Sequence, residues 1–258
     1  MIVKCVEQSQ ETGHFGELCG GGQKAQYAFF SRSDGQSIGR YDSLNVGLHV
    51  GDDASAVRAN REYVKQQLQA PSLLSALQVH GTKIHIQTQP LVSDLEVEGY
   101  DALITNQKGV ALMVQHADCQ PVLLYDSVAG VIAAIHNGWR GSVQNILAEV
   151  VAALVAEYGV NPANTIAVVG PSLGPCCAEF VHYKDELPEE FQQFNVENSH
   201  FDFWKISKKQ LMDTGILPGN IEIVGACTVC SQDYFSYRKA VKAGNGVTGR
   251  NGSVIVLH

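Results

Sequence analysis

Short apolar runs recur along this chain from one end to the other: "YAFFS", "LLSALQV", "KIHIQT", "DALIT", "VALMVQ", "PVLLYD", "VIAAIH", "TIAVVG", "IEIVGAC" and "SVIVL". Most are about four to seven residues long and rich in Val, Ile and Leu, which is the length and chemistry of strands. Their hydrophobicity is continuous where a half-exposed strand would alternate, so several are expected to be buried on both faces.

Helical patterns are few. The clearest follows "IHNGWRG": Ser142 is placed to cap it, Val143, Ile146, Leu147, Val150, Val151, Leu154, Val155 and Tyr158 recur at helical spacing, and Gly159 stops it. A second runs over about residues 53–68, with Val57, Arg61, Val64 and Leu68 on one surface, and a weaker third surrounds residues 205–213. No repeat, low-complexity tract or long linker divides the 258 residues, which therefore read as one mixed α/β domain. The patch "CGGGQ" at residues 19–23 reads as a turn, since neither Walker spacing nor G-x-G-x-x-G accompanies it.

A content of 45% hydrophobic and 17% charged residues predicts order nearly throughout. The net charge of −8 argues against DNA or RNA as the main partner, while leaving room for a small anion held by a few arginines. The N-terminus lacks a charged region followed by an apolar stretch, and no apolar run approaches the ~18 residues that span a bilayer, so a cytoplasmic protein is expected. Seven cysteines without a secretory signal predict reduced thiols, some of them free to bind metal or do chemistry.

Three polar residues stand at the ends of apolar runs: His80 in "ALQVHGTKI", Cys119 in "MVQHADCQPVLL" and His136 in "IAAIHNGWRG". Each alone reads first as a packed, hydrogen-bonded core residue. Together they are the imidazole and thiolate donors that zinc favours, and three protein ligands with a fourth position open describe a catalytic site. A metal-free Cys119 thiolate activated by a histidine is the competing chemistry.

The blocks "QVHG", "ADCQPVLL" and "IHNGWRG" resemble the signatures of the laccase-domain family, also called the peptidoglycan editing factor or purine nucleoside phosphorylase family. The resemblance continues through "SRSDGQSIGRYDSLNVGLHVGDD", "VRANRE", "VVGPSLGPCCAEF", "FSYRK" and "TGR", and covers roughly residues 27–257; residues 1–26 match nothing in it. It implies a single α+β domain built as a four-layer α/β/β/α sandwich with mixed sheets. It also implies that His80, Cys119 and His136 are metal ligands. The implied activity is zinc-dependent phosphorolysis of purine nucleosides, methylthioadenosine among them, accompanied by adenosine deamination. The family has also been labelled copper polyphenol oxidase.

A laccase-type trinuclear copper cluster needs many imidazoles, usually in His-x-His pairs, and this chain has nine histidines and no such pair, so copper oxidation is disfavoured. A single metal with an open position suits hydrolysis or group transfer. Phosphorolysis needs a phosphate site, and Arg140, with Gly141 and Ser142 at the start of the long helix, is a candidate; the alternative is a surface salt bridge. Arg61 and Arg238 are further candidates by motif match. Asp118 is read as a general acid or base, or as a partner orienting a ligand. Ser43, Asn45 and Gln78 are donors suited to a ribose or purine edge, or else turn and strand-end residues.

His116, Asn137 and Ala178 stand where the family usually carries a small hydroxyl residue, an Ala and an aromatic residue, and His116 is a rival ligand. The motif "CTVC" at residues 227–230 offers, with Cys176 and Cys177, four thiols for a second zinc. That reading is disfavoured because adjacent cysteines are expected to point in different directions. The leading expectation is a zinc-dependent purine nucleoside phosphorylase. Its rivals are a cysteine hydrolase or amidase acting on peptidoglycan precursors, and a non-catalytic metal-binding module.

Overall fold

The computed structural model describes the backbone of residues 3–10, 13–20 and 23–258, and the side chains of residues 13–20 and 23–258. In chain order the strands are β1 (Val3–Gln10), β2 (Gly13–Gly20), β3 (Gln23–Phe30), β4 (Ser72–Leu77), β5 (Ile84–Gln87), β6 (Leu95–Glu98), β7 (Ala102–Thr105), β8 (Val110–His116), β9 (Gln120–Asp126), β10 (Val131–Asn137), β11 (Ile166–Val169), β12 (Asn195–Glu197), β13 (His200–Phe201), β14 (Ile221–Ile223) and β15 (Asn251–Leu257). The helices are α1 (Ala54–Gln67), α2 (Trp139–Val143), α3 (Ile146–Tyr158), α4 (Tyr183–Glu186), α5 (Phe203–Asp213) and α6 (Tyr237–Ala243).

A seven-stranded sheet runs β1-β2-β3-β15-β8-β4-β6 and a six-stranded sheet runs β14-β11-β9-β10-β7-β5. Both are mixed: β4 lies parallel to β6 and β8, β5 to β7, and β11 to β14, while their other pairs are antiparallel. The continuous apolar runs are explained by what lies on either side of them. In β9, Leu123 and Tyr125 face the space between the sheets, while Val122 and Leu124 pack with Leu147, Val150 and Leu154 of α3 and Leu211 of α5. In β8, Leu112 and Val114 face the other sheet, and Ala111 and Met113 pack with Val64 of α1. The result is the expected single-domain α/β/β/α sandwich, with two interior faces per central strand and no room for alternation.

Local chemistry changes one boundary. The long helix does not start at Ser142, whose hydroxyl instead donates to Asn137 Oδ1 at 3.2 Å. A short α2 comes first, and Asn145, in the left-handed region at φ 55°, caps α3 by accepting from Ala148 N. Gly159, at φ 64°, ends α3 as expected. Asp53 caps α1 by accepting from Ser55 N and Ala56 N. The "CGGGQ" patch does join two antiparallel strands, β2 and β3, although Gly21 and Gly22 lie outside the described residues. The expectation of reduced thiols holds for Cys119, Cys176, Cys177, Cys227 and Cys230 but not for Cys19, which is disulfide-bonded.

Asn145→Ala removes a cap and leaves a Cβ-bearing residue in left-handed geometry, so it should cost about 1 to 2 kcal/mol of unfolding free energy in a denaturant titration. An unchanged midpoint would mean that the cap does not hold α3 in place.

Candidate metal centre and substrate cavity

His116 ends β8 in one sheet; the chain crosses through Ala117, Asp118 and Cys119 and enters the other sheet at Gln120, the first residue of β9. His136, near the end of β10, stands opposite Pro121 in the antiparallel ladder, which brings the residues after it alongside Cys119. His80 follows β4 in a turn, at φ 61°, and Asp118 has φ 91°. Such backbone is uncommon for residues bearing a Cβ, and it is found where surrounding structure over-determines a functional site.

The ligand atoms of His80, Cys119 and His136 lie within 4.8 Å of one another. One residue outside the sequence expectations arranges them. Asp101, fully buried just before β7, accepts through Oδ1 from His136 Nδ1 at 2.8 Å and from His80 N at 2.9 Å, and through Oδ2 from Gly81 N at 2.8 Å. With Nδ1 committed to Asp101, Nε2 is the His136 nitrogen left for Cys119. Gly138 closes the opposite side: a Cβ there would meet His80 Cδ2 at 3.1 Å and Cys119 Sγ at 3.2 Å. The backbone φ of Gly138 is ordinary, so glycine is needed here for space alone.

Charge follows geometry. Burial opposes ionisation of Cys119, but His136 and His80 outweigh it and bring the thiol down to about 6. Burial likewise opposes the charged form of His136, and Cys119 and Asp101 outweigh it, raising the imidazole to about 9. His116 is held neutral, near 3, by its burial and by the charges of His136 and Arg250. Without a cation the site is thus a thiolate–imidazolium pair. One thiolate and two imidazoles, one of them oriented by a carboxylate, are a fitting donor set for zinc with a position left open. His116 is not part of this group; its Nε2 is 2.8 Å from Ser253 Oγ.

The centre opens into a cavity of about 850 Å³ lined by His80, Asp118, Cys119, His136, Gln78, Arg140 and Arg238, and also by His116, Trp139, Phe180, Tyr237 and Arg250. Three of the sequence candidates lie elsewhere. Ser43 Oγ bonds to Gly35 N and Arg32 O, and Asn45 to Asp52, Gly47 N and Arg250 N. Arg61 is consumed inside the fold by Val46 O, Ser75 Oγ and a 2.7 Å bond from Nη2 to Glu96. These residues brace the cavity from behind, because their polar groups were needed to satisfy buried backbone and carboxylate.

Within the wall, two roles are corrected. Asp118 uses one oxygen to accept from Thr228 Oγ1 and the other from Arg238 N, each at 2.7 Å, so its geometry is that of a positioning residue for the Arg238 segment. Arg140 belongs to the five-residue α2, stacked 4.3 Å over Trp139, and does not sit at the start of α3; Gly141 and Ser142 are buried, and Ser142 N donates to Gly138 O. Any anion at Arg140 is therefore held by the guanidinium without the long helix's dipole. Gln78 lines the cavity with its amide tied to Gln115 N and O.

In chelator-treated protein, alkylation of Cys119 by iodoacetamide, followed peptide by peptide, should rise through an inflection near pH 6 and reach a plateau by neutral pH. His136→Ala should move that inflection upward, toward the value of an ordinary thiol. An inflection above pH 8 in the unmodified protein would contradict the ion pair. The pair needs an ionised thiol and a protonated imidazole, so its contribution to stability is present between about pH 6 and pH 9: it is lost as pH falls through about 6, where Cys119 takes up its proton, and as pH rises through about 9, where His136 gives up its own.

The family of the multi-copper polyphenol oxidoreductase laccase matches residues 26–258. A Bacteroides thetaiotaomicron protein named purine nucleoside phosphorylase is 31% identical over 85% of this chain and 88% of its own length. A protein of an unknown prokaryotic organism named adenosine deaminase RL5 is 30% identical over 85% of this chain and 92% of its own. The crystal structure of Bacillus licheniformis YfiH superposes with a TM-score of 0.81 at 29% identity, covering 91% of this chain and 93% of that one. The family model spans nearly the whole chain and the relatives match most of their own length, so the chain belongs to this laccase-like family.

Proposed function

We propose that the protein is a zinc-dependent purine nucleoside phosphorylase, with adenosine, inosine, guanosine and methylthioadenosine as substrates and an accompanying adenosine deaminase activity, working in the cytoplasm. One observation carries the reading: a thiolate–imidazole centre, three arginines (Arg140, Arg238 and Arg250) and three aromatic residues (Trp139, Phe180 and Tyr237) line the same cavity. The names of the relatives described above support it; among the described residues no helix is long and apolar enough to cross a membrane.

Bound by His80, Cys119 and His136, zinc would supply a Lewis acid at the cavity wall. The rings offer apolar faces on which a purine stacks, and the arginines offer charge-assisted donors for phosphate. In phosphorolysis the bond from the anomeric carbon to the base breaks, a bond to a phosphate oxygen forms, and the proton of hydrogen phosphate leaves with the base. In deamination, water replaces the amino group of adenosine and ammonia departs. The paired imidazoles are too few for a trinuclear copper cluster, which again disfavours copper polyphenol oxidation.

The alignment Asp101–His136–Cys119 favours one second reading, a cysteine hydrolase or amidase acting on a peptidoglycan precursor, since an oriented histidine beside a thiolate is also a nucleophile's arrangement.

Incubation with inosine should yield hypoxanthine and ribose 1-phosphate only when phosphate is present, and adenosine should yield some inosine without it. Arg140→Ala should raise the KM for phosphate about tenfold or more while moving the nucleoside KM less, as the loss of one charge-assisted bond requires. Inert nucleosides under both conditions, with Cys119-dependent cleavage of a cell-wall amide, would replace this reading by the second.

A further inference from the structure

The expectation that Cys176 and Cys177 point apart is overturned. Backbone pairing between the two segments explains why: Ser172 N donates to Ala226 O and Thr228 N to Ser172 O, laying residues 172–177 beside residues 226–230. The chain then folds tightly at Gly174, whose carbonyl accepts from both Cys177 N and Ala178 N, and this turn carries both thiols to the same side. Only glycine fits there, because a Cβ would stand 2.9 Å from Cys227 Cβ and 2.9 Å from the Trp204 ring.

The sulfurs of Cys176, Cys177, Cys227 and Cys230 all lie within 4.8 Å of one another, with Cys230 Sγ 3.5 Å from Cys176 Sγ and 3.6 Å from Cys177 Sγ. Four sulfurs at tetrahedral corners about 2.3 Å from a zinc ion are about 3.8 Å apart. The observed separations are therefore close to those of a metal site and far longer than the ~2.05 Å of a disulfide. All four are free thiols, and Cys176 and Cys230 are exposed, so an ion can reach them.

A second feature points to a cation. Gly174 N donates to Cys227 Sγ at 3.3 Å, and the amides of Val229 and Cys230 bond to the same sulfur. Amides converging on one cysteine favour its thiolate.

We propose that Cys176, Cys177, Cys227 and Cys230 form a structural tetrathiolate site for zinc, separate from the His80–Cys119–His136 centre. Four thiols give up their protons to solvent as the ion binds, and no position stays open for substrate. The ion clips the turn after Leu173 to the loop before Arg238. That wall is already linked by Arg238 Nη1 donating to Cys177 O at 2.9 Å and by Thr228 donating to Asp118. The site is thus a brace for the cavity wall, and it stands whether the cavity serves nucleosides or another substrate.

The test is metal analysis of the full chain purified under reducing conditions without chelator. The double variant Cys176→Ser with Cys230→Ser, both at exposed positions, should carry about one zinc fewer per chain than the unmodified protein, and Cys119→Ala should keep the ion that the double variant loses. Cobalt-loaded Cys119→Ala should show the intense near-ultraviolet sulfur-to-cobalt band of a tetrathiolate site. The spectrum uses a variant in which the four cysteines are intact, so it decides the matter even if the double variant folds poorly. Equal zinc in the unmodified and doubly substituted proteins, no such cobalt band, or a disulfide among the four in freshly isolated reduced protein would each overturn the proposal.

Discussion

The carboxylate of Asp101 is the interaction on which the rest of the centre depends. A fully buried carboxylate is costly unless its lone pairs are filled, and this one is filled by the amides of Val79, His80 and Gly81 and by His136 Nδ1. Burial would raise its pKa, but the bond and charge of His136 and the amides of Gly81 and His80 outweigh burial and hold it below the usual carboxylate range. The charge is thus spent on two tasks at once: it pins the turn that presents His80, and it selects which nitrogen of His136 faces Cys119. Removing it would leave buried donors unpaired on both sides of the site.

The sandwich supplies the rigidity this arrangement requires. Cys119 sits where the chain passes from one sheet to the other, and His136 sits on a strand with packed layers on both faces. Neither residue can shift without disturbing close-packed neighbours, which resist small displacements. Behind the cavity, Asn60, Asn45 and Arg61 satisfy the irregular backbone of residues 35–47, and Asn137 ties β10 to Gln120 and to Ser207 of α5. Asn137 therefore contributes to packing beside the centre instead of to coordination.

Much of this was readable from residues, and the failures have physical causes. Strands buried on both faces announce themselves as unbroken apolar runs, and the polar residues that end them mark where the layers open. His80, Cys119 and His136 were found that way. Asp101 was missed because a lone acid before "ALIT" looks like any strand-end residue; its partners lie 20 and 35 positions away. Ser43 and Asn45 read equally as substrate contacts or as turn and strand-end residues, and Arg61 as a phosphate candidate, because the demands of buried backbone and of Glu96 are invisible until the chain is folded. The adjacent cysteines misled for a similar reason: side-chain direction within a tight turn depends on Gly174 and on the pairing of distant segments. At Ser142, a good capping residue lost to Asn145 because the chain turns twice before the long helix begins.

The most direct measurement is the zinc affinity of Asp101→Asn, compared with the unmodified protein by competition with a chromophoric chelator and paired with a thermal melt. If Asp101 organises the centre, affinity at the His80–Cys119–His136 site should fall about 10- to 100-fold while the protein remains folded, since the amide keeps the shape but loses the charge that orients His136. Unchanged affinity in a folded Asp101→Asn protein would contradict the account, because the three donors would then converge without the carboxylate.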